Sequence, residues 1–118
     1  MTDAFTLLHN PRCSKSRAAL DLLQSRGIDA DVVLYLDTPL DAAALRVLLR
    51  RLDMPARGLL RTGEAAYGEL GLADASLDES ALIAGMVAHP KLIERPVLVR
   101  GARAVIGRPT ERLLALLD

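Results

Sequence analysis

The chain has 118 residues, 51% hydrophobic and 25% charged, which is the balance of one globular domain with enough apolar material for a core. Fifteen basic residues match fifteen acidic residues and only 3% are aromatic, so neither net charge nor base stacking favours binding to nucleic acid or to an anionic membrane. The single cysteine excludes an intramolecular disulfide, and no long apolar run follows the N-terminus. We therefore expect no signal peptide, no membrane span and a cytoplasmic location.

The first third of the sequence has the pattern of a βαβ unit. Residues 5–8 form an apolar run that predicts a strand, and residues 14–26 have helical character up to Gly27, a residue type that favours helix ends. Residues 32–36 predict a second strand, parallel to the first. The inward face of the helix is expected to contain Ala18, Ala19, Leu22 and Leu23.

Residues 41–88 are predicted to be helical throughout. Asp41 can cap a helix whose leucines recur at helical spacing, and shorter helices are expected at 56–61 and 64–70. Ser76 and Glu79 have the spacing of a capping box, which predicts a further helix after them. Its buried face is expected to contain Leu82, Ile83, Met86 and Val87.

The last part of the chain predicts a β-hairpin and a helix. Two short β-type runs, 97–99 and 104–106, flank a glycine turn, and Pro109 suits the first position of a final helix. That helix is expected to turn Leu113, Leu116 and Leu117 inward. The order of elements predicts an α/β, thioredoxin-like three-layer sandwich in a single domain, 1–118, with a four-stranded mixed sheet and a helical insertion at about 41–88, between strands 2 and 3.

The lone cysteine, Cys13, is the candidate nucleophile. It lies between the first strand and the first helix, where unpaired N–H groups and the positive end of the helix dipole favour a thiolate. Arg12, Lys15 and Arg17 flank it where helices normally favour acidic residues. A thiolate with a bound anion would offset these cations; the alternative is a buried, inert cysteine.

Three polar residues near Cys13 are candidates for modulating its reactivity. Ser16 occupies the place of the second cysteine in a Cys-x-x-Cys pair, so Cys13 needs an outside thiol to regenerate it. His9 could favour the thiolate by charge or by a hydrogen bond, or it could be a turn residue that faces water. Asn10 could donate to a thiolate or an oxyanion, or it could only shape the turn before Pro11.

Three arginines are candidates for oxyanion binding. Arg95 precedes Pro96 immediately before the third strand, where thioredoxin-like folds carry a cis-proline, so we expect a cis bond there and Arg95 near Cys13. Arg108 is predicted at the cap of the last helix, where a cation is unusual. Arg61 ends an apolar segment and, taken alone, is more typical of a solvated surface arginine.

Together these residues resemble the glutaredoxin-coupled arsenate reductases of the thioredoxin-like superfamily, and residues 9–17 resemble a side branch of that family. The matching segments cover nearly the whole chain: His9-Asn10-Pro11, Cys13, Ser16-Arg17, Leu59-Leu60-Arg61, Tyr67, Leu70-Gly71-Leu72, His89-Pro90, Glu94-Arg95-Pro96 and Gly107-Arg108-Pro109.

The resemblance implies an activity and a set of roles. Cys13 would attack arsenate, and Arg61, Arg95 and Arg108 would bind the oxyanion. His9 would be the residue that helps to keep Cys13 ionised. It implies glutathione as co-substrate and a glutaredoxin as partner, with no metal and no permanently bound cofactor.

Two other functions remain open on the sequence. The chain could be a monothiol oxidoreductase that removes glutathione from proteins or reduces another oxyanion. It could also be a regulator that resembles the Spx proteins and binds RNA polymerase, although their redox switch is a Cys-x-x-Cys and Ser16 counts against it. The phosphatase-like arsenate reductases, which carry Cys-x5-Arg, are excluded because Ala19 stands at that position.

Overall fold

The computed structural model describes residues 4–117. Its elements in chain order are β1 (Phe5–Leu8), α1 (Ser14–Ser25), β2 (Asp31–Val33), α2 (Ala42–Leu52), α3 (Ala56–Leu59), α4 (Ala65–Glu69), α5 (Glu79–Ala88), a 3₁₀ helix (Pro90–Leu92), β3 (Val97–Arg100), β4 (Arg103–Ile106) and a second 3₁₀ helix (Thr110–Leu116). The chain divides into two compact units, Met1–Thr38 with Arg95–Asp118, and Pro39–Glu94. The assignment of residues 1–118 to a single domain stays a prediction.

The first unit contains a four-stranded mixed sheet in the order β2-β1-β3-β4. Strand β1 pairs parallel with β2 and antiparallel with β3, and β3 forms a hairpin with β4. The α/β class, the mixed sheet and the insertion between the second and third strands are therefore confirmed. Strand β2 ends three residues earlier than expected, because the N–H groups of Asp37 and Thr38 both donate to the carbonyl of Leu34 and turn the chain.

Helix α1 and the final 3₁₀ helix pack on one face of this sheet. The buried cluster between them consists of Leu7, Ala19, Leu23, Leu98, Leu113 and Leu116. Burial of each leucine side chain stabilises the fold by about 1.5–3 kcal/mol. The buried positions of α1 are Ser16, Ala19 and Leu23, a narrow stripe, so the expected burial of Ala18 is wrong and Leu22 is only half-buried. This packing holds α1 against the sheet.

The hairpin and the last helix differ from the prediction in their details. Gly101, at φ 59°, begins a two-residue turn between β3 and β4. The final helix is 3₁₀ in type and begins at Thr110, because Pro109 has an extended backbone with ψ 164° and lies at the cap. Arg108 therefore precedes the cap, and its predicted cap position is wrong. Leu113 and Leu116 are buried as expected, and Leu117 is half-buried.

The second unit is mostly helical. Asp41 caps α2 as predicted, its Oδ1 accepting from Ala44 N at 2.8 Å, and the buried face contains Leu45, Leu48, Leu49 and Leu52. Helix α5 is capped by Asp78, which accepts from Ala81 N at 2.9 Å, whereas Ser76 bonds to the Asp74 carboxylate. The capping box at Ser76 is therefore wrong by two residues.

A short non-helical pairing interrupts this block. Helix α3 ends at Leu59, two residues before the expected end, because Leu60 forms an antiparallel bridge with Ile93. Arg61 N donates to Leu92 O at 2.8 Å, and Glu94 N donates to Leu59 O at 2.8 Å. This pairing holds the two segments side by side, so the block is not helical throughout. Between residues 4 and 117, no helix combines the length and the apolar sequence that a bilayer crossing requires.

Candidate active site

Cys13 occupies the N-cap position of α1, as the sequence predicts. Its backbone is extended, with φ −98° and ψ 122°, and its carbonyl accepts the first helical bond, from Arg17 N at 3.0 Å. The first turn contains no acidic residue, and no side chain caps the helix. Cys13 is 8% exposed. The positive end of the helix dipole thus meets the sulfur without competition from a carboxylate.

Arg108 lies beside the sulfur. Its Nη2 is 3.7 Å from Cys13 Sγ, and its Nε donates to the carbonyl of Arg95 at 2.7 Å. A guanidinium held in this way by a backbone acceptor has little freedom to turn away from the sulfur. Charge-assisted contacts of this type stabilise negative charge more strongly than neutral ones. Cys13 is therefore buried but has a guanidinium as a neighbour, and its role as a nucleophile stays a prediction.

Close packing at Gly107 positions Arg108. Gly107 N donates to Pro96 O at 2.9 Å, and a Cβ at this position would lie 2.9 Å from Leu113 Cδ2 and 3.1 Å from Pro96 Cγ. Only glycine allows this approach without displacement of a neighbour. The Arg95-Pro96 peptide is cis, as predicted, and the Arg108-Pro109 peptide is also cis. The carbonyl of Arg95 lies at the site because it accepts from Arg108 Nε, and an oxyanion role for the side chain of Arg95 stays a prediction.

His9 and Ser16 form a buried pair in the loop before α1. The exposed fraction is 5% for His9 and 0% for Ser16, and His9 Nδ1 lies 2.7 Å from Ser16 Oγ. Burial, and secondly the charge of Arg17, lower the pKa of His9 below its ordinary value of 6.5. The turn histidine that faces water is therefore not found. A neutral imidazole brings no charge to Cys13, the ring of His9 bonds to Ser16, and a hydrogen bond from His9 to the thiolate stays a prediction.

Asn10 shapes the loop. Its Oδ1 accepts from Arg12 N at 3.0 Å, its carbonyl accepts from Cys13 N at 3.0 Å, and its own N–H donates to Ser16 Oγ at 3.0 Å. Arg17 also braces the loop, through Nη1 to the carbonyl of Pro11 at 2.9 Å. The side-chain oxygen of Asn10 is therefore engaged in the turn, and donation by Asn10 to a thiolate or oxyanion stays a prediction.

Arg61 belongs to the second unit, where two carboxylates hold it. Its Nη1 forms an ion pair with Glu64, and its Nε lies 3.6 Å from Glu94 Oε1. Its side chain is 22% exposed, so the expected solvated surface arginine is not what the structure shows. Neither carboxylate is predicted as a partner of Arg61 from the sequence, although the i,i+3 spacing of Arg61 and Glu64 is a recognisable signal. Binding of an oxyanion by Arg61 stays a prediction.

The site is built without a recognisable metal centre. Across residues 4–117, no group of three or more His, Cys, Asp or Glu side chains is arranged to hold a metal ion. The groups that the described residues bring together at Cys13 are a sulfur, a guanidinium and a helix N-terminus.

Comparison with known proteins identifies the family. The sequence model of the ArsC family matches residues 8–116. A protein named arsenate reductase from Neisseria meningitidis serogroup A is 48% identical over 112 residues, 94% of this chain and 96% of that protein. The uncharacterized protein YfgD of Escherichia coli (strain K12) is 55% identical over 117 residues, 98% of each. A solved structure of arsenate reductase from Vibrio cholerae has a TM-score of 0.95 at 42% identity and covers 99% of this chain and 100% of that one. With this match over nearly its whole length and with the same thioredoxin-like architecture, the chain belongs to the ArsC family.

Proposed function

We propose that this protein is an arsenate reductase in which Cys13 is the nucleophile and glutathione and a glutaredoxin supply the electrons. The observation that carries the proposal is the contact of Arg108 Nη2 with Cys13 Sγ at 3.7 Å. A fixed cation beside the sulfur supports the proposal because it would offset the negative charge of a thiolate and of an approaching oxyanion. The relative from Neisseria meningitidis and the structure from Vibrio cholerae, both named arsenate reductase, support the same activity.

The first step joins sulfur to arsenic. Arsenate is mostly a dianion near neutral pH, so its approach to a thiolate brings like charges together. Arg108 and the N–H groups at the start of α1 offset this repulsion. The Cys13 thiolate attacks arsenic, the S–As bond forms, one As–O bond breaks, and that oxygen leaves as water after protonation.

The second step moves two electrons to arsenic. Glutathione attacks the Cys13 adduct and forms a mixed disulfide with Cys13, while the electron pair of the S–As bond goes to arsenic. Arsenic(V) thus becomes arsenic(III) and leaves as arsenite. A glutaredoxin thiol then attacks the glutathione sulfur and releases the Cys13 thiolate. Because Cys13 is the only cysteine in the chain, regeneration by an outside thiol fits this sequence of steps.

The remaining roles in this proposal rest on the resemblance. The side chains of Arg61 and Arg95 bind the oxyanion together with Arg108. Donation by Asn10 is proposed from its side-chain amide, which carries two donor hydrogens, and not from the resemblance. The cytoplasm, where glutathione keeps thiols reduced, is the compartment in which this cycle operates.

The test is turnover of arsenate with glutathione and a glutaredoxin, followed by NADPH consumption through glutathione reductase. We expect wild-type turnover, loss of turnover in Cys13→Ser, and strong impairment in Arg108→Ala. Arg112→Ala is the matched control, because Arg112 is an exposed arginine on the last helix and should retain activity. Equal rates for the wild type and Cys13→Ser would rule out the proposal.

The same assay separates the alternatives. A monothiol oxidoreductase would reduce a glutathionylated peptide in a Cys13-dependent manner and show no response to arsenate. A regulator of the Spx type would show neither activity and would retain RNA polymerase in a pull-down.

A further inference from the structure

The loop that carries Cys13 is closed on itself through a single buried hydroxyl. Ser16 Oγ contacts His9 Nδ1 at 2.7 Å and accepts from Asn10 N at 3.0 Å, so it joins α1 to residues six and seven positions earlier. His9 is in turn fixed to the sheet, because its backbone N–H donates to the carbonyl of Val33 at 2.9 Å. The position of Cys13 between these residues therefore depends on the Ser16 hydroxyl.

The hydrogen count decides which way the bond to His9 runs. A hydroxyl has one hydrogen to donate, and a backbone N–H is always a donor, so Ser16 must accept from Asn10. Within residues 4–117 the hydrogen bonds of Oγ join it to Asn10 and His9, and Ser16 is fully buried. If Nδ1 of His9 carried a proton and donated to Oγ, the hydroxyl hydrogen would be buried without an acceptor. The arrangement that leaves no buried hydrogen without an acceptor has the Ser16 hydroxyl donating to an unprotonated Nδ1 of His9.

We infer that Ser16 and His9 are positioning residues for Cys13, with the Ser16 hydroxyl donating to Nδ1 of a neutral His9 whose proton is on Nε2. The pair holds the loop in place, and it supplies no positive charge to the sulfur. Activation of Cys13 then belongs to Arg108 and to the start of α1. This inference rests on the proposed function only in taking Cys13 as the nucleophile.

The charges around His9 agree with this assignment. Arg17, on α1, is the charged side chain that acts on His9, and together with burial it disfavours the imidazolium. The bond of His9 to β2 is made by its backbone N–H and leaves the ring untouched. The partner of the ring on α1 is the Ser16 hydroxyl, which does not titrate in the physiological range and is not an acidic group that would stabilise a second ring proton.

Nitrogen NMR tests the assignment directly on the wild-type protein. The chain has two histidines, His9 and His89, and His89 is exposed and provides an internal reference. At neutral pH we expect His9 to show a bare Nδ1 and a protonated Nε2, and His89 to show averaged tautomers. An imidazolium at His9, or a proton on its Nδ1, would overturn the inference. The measurement needs no arsenate, so its result is independent of the proposed function.

Alkylation of Cys13 by iodoacetamide tests the positioning role, again without arsenate. His9→Asn keeps an acceptor near the place of Nδ1 but cannot become a cation, whereas His9→Leu removes the acceptor. We expect His9→Asn to alkylate within about threefold of the wild type, and His9→Leu and Ser16→Ala to be slower by about 10- to 100-fold, the cost of a misplaced nucleophile. His89→Asn is the matched control and should be unchanged.

Two outcomes of the alkylation experiment would overturn the inference. Equal impairment of His9→Asn and His9→Leu would show that Cys13 needs the imidazole itself. Wild-type rates in Ser16→Ala would show that the hydroxyl does not position the loop. If His9→Leu does not fold, the comparison of Ser16→Ala with wild type and the NMR assignment still decide the question.

Discussion

The guanidinium Nη2 of Arg108 lies 3.7 Å from Cys13 Sγ, although 95 positions separate the two residues in the chain. The same guanidinium bonds through Nε to the carbonyl of Arg95, which precedes Pro96 at the start of β3. Arg95 lies just before β3, Arg108 lies just after β4, and Cys13 lies at the start of α1. The contact between Arg108 and Cys13 thus depends on the packing of all three segments. The surroundings of Cys13 therefore depend on the packing of distant segments as well as on its position at the helix start.

Replacement of Arg108 by lysine should lower the reactivity of Cys13. A lysine ammonium is a point charge and cannot reproduce the planar fork that meets both a carbonyl and the sulfur. We expect Arg108→Lys to slow alkylation of Cys13 by about tenfold or more, about 1.4 kcal/mol of activation free energy. Arg112→Lys should behave as wild type, and an unchanged rate in Arg108→Lys would contradict the role of the fork.

Gly107→Ala should destabilise the fold and displace Arg108. The new Cβ would meet Leu113 at 2.9 Å and Pro96 at 3.1 Å, so neighbouring groups must move. We expect a loss of about 1–3 kcal/mol of unfolding free energy, measured by urea denaturation, together with slower alkylation of Cys13. Gly68→Ala is the control, since a Cβ there meets nothing within 4 Å and a helical alanine costs nothing. Equal stabilities of the two variants would contradict the packing argument.

The buried His9 should make stability depend on pH. Its folded-state pKa is lowered below 6.5, so the unfolded chain binds its proton first as the pH falls. The contribution is fully present above the unfolded pKa and is lost as the pH falls through the folded pKa. Urea denaturation between pH ~7.5 and pH ~5 should show a fall for wild type that His9→Asn reduces and His89→Asn does not. The same fall in His9→Asn as in wild type would assign the effect to another group.

Glu64→Gln should tighten arsenate binding if Arg61 is an oxyanion ligand. Glu64 holds Nη1 of Arg61 in an ion pair, so its carboxylate competes with an incoming anion. Loss of the carboxylate charge should lower KM for arsenate by about 2- to 5-fold, which matches the ~0.5–1 kcal/mol of a partly exposed pair. Glu69→Gln, at an exposed position of α4, is the control. An unchanged KM in Glu64→Gln would remove Arg61 from the oxyanion ligands.

The reassigned cap of α5 can be checked by a pair of variants. Asp78→Ala removes the acceptor for Ala81 N and should cost about 0.5–2 kcal/mol of unfolding free energy. Ser76→Ala removes only an exposed bond to Asp74 and should change stability by less than about 0.5 kcal/mol. Thermal or urea denaturation of both variants decides between the two caps. A larger loss of unfolding free energy in Ser76→Ala than in Asp78→Ala would support Ser76 as the cap.

Local patterns in the sequence predicted most of the fold and one part of the site. The strand at 5–8, the cap at Asp41 and the junction at Cys13 depend on residues within a few positions, and all three are confirmed. The wrong predictions concern burial within a helix and the exact start of a helix, which the spacing of residues alone does not determine. Ala18 lies beside the buried stripe of α1 and is exposed, and Asp78 competes with Ser76 for the same helix start.

The sequence by itself determined that one sulfur lies at the start of a helix within an α/β fold of this family. Helix starts and strand periodicity can be predicted because they depend on residues that are close together in the chain. Tertiary structure alone decided what surrounds that sulfur. Arg108 reaches Cys13 only because Gly107 packs against Pro96 and Leu113, and His9 is buried because its backbone extends the pairing of β1 with β2. Contacts of this kind depend on how distant segments exclude water together, a property that no short window of sequence contains.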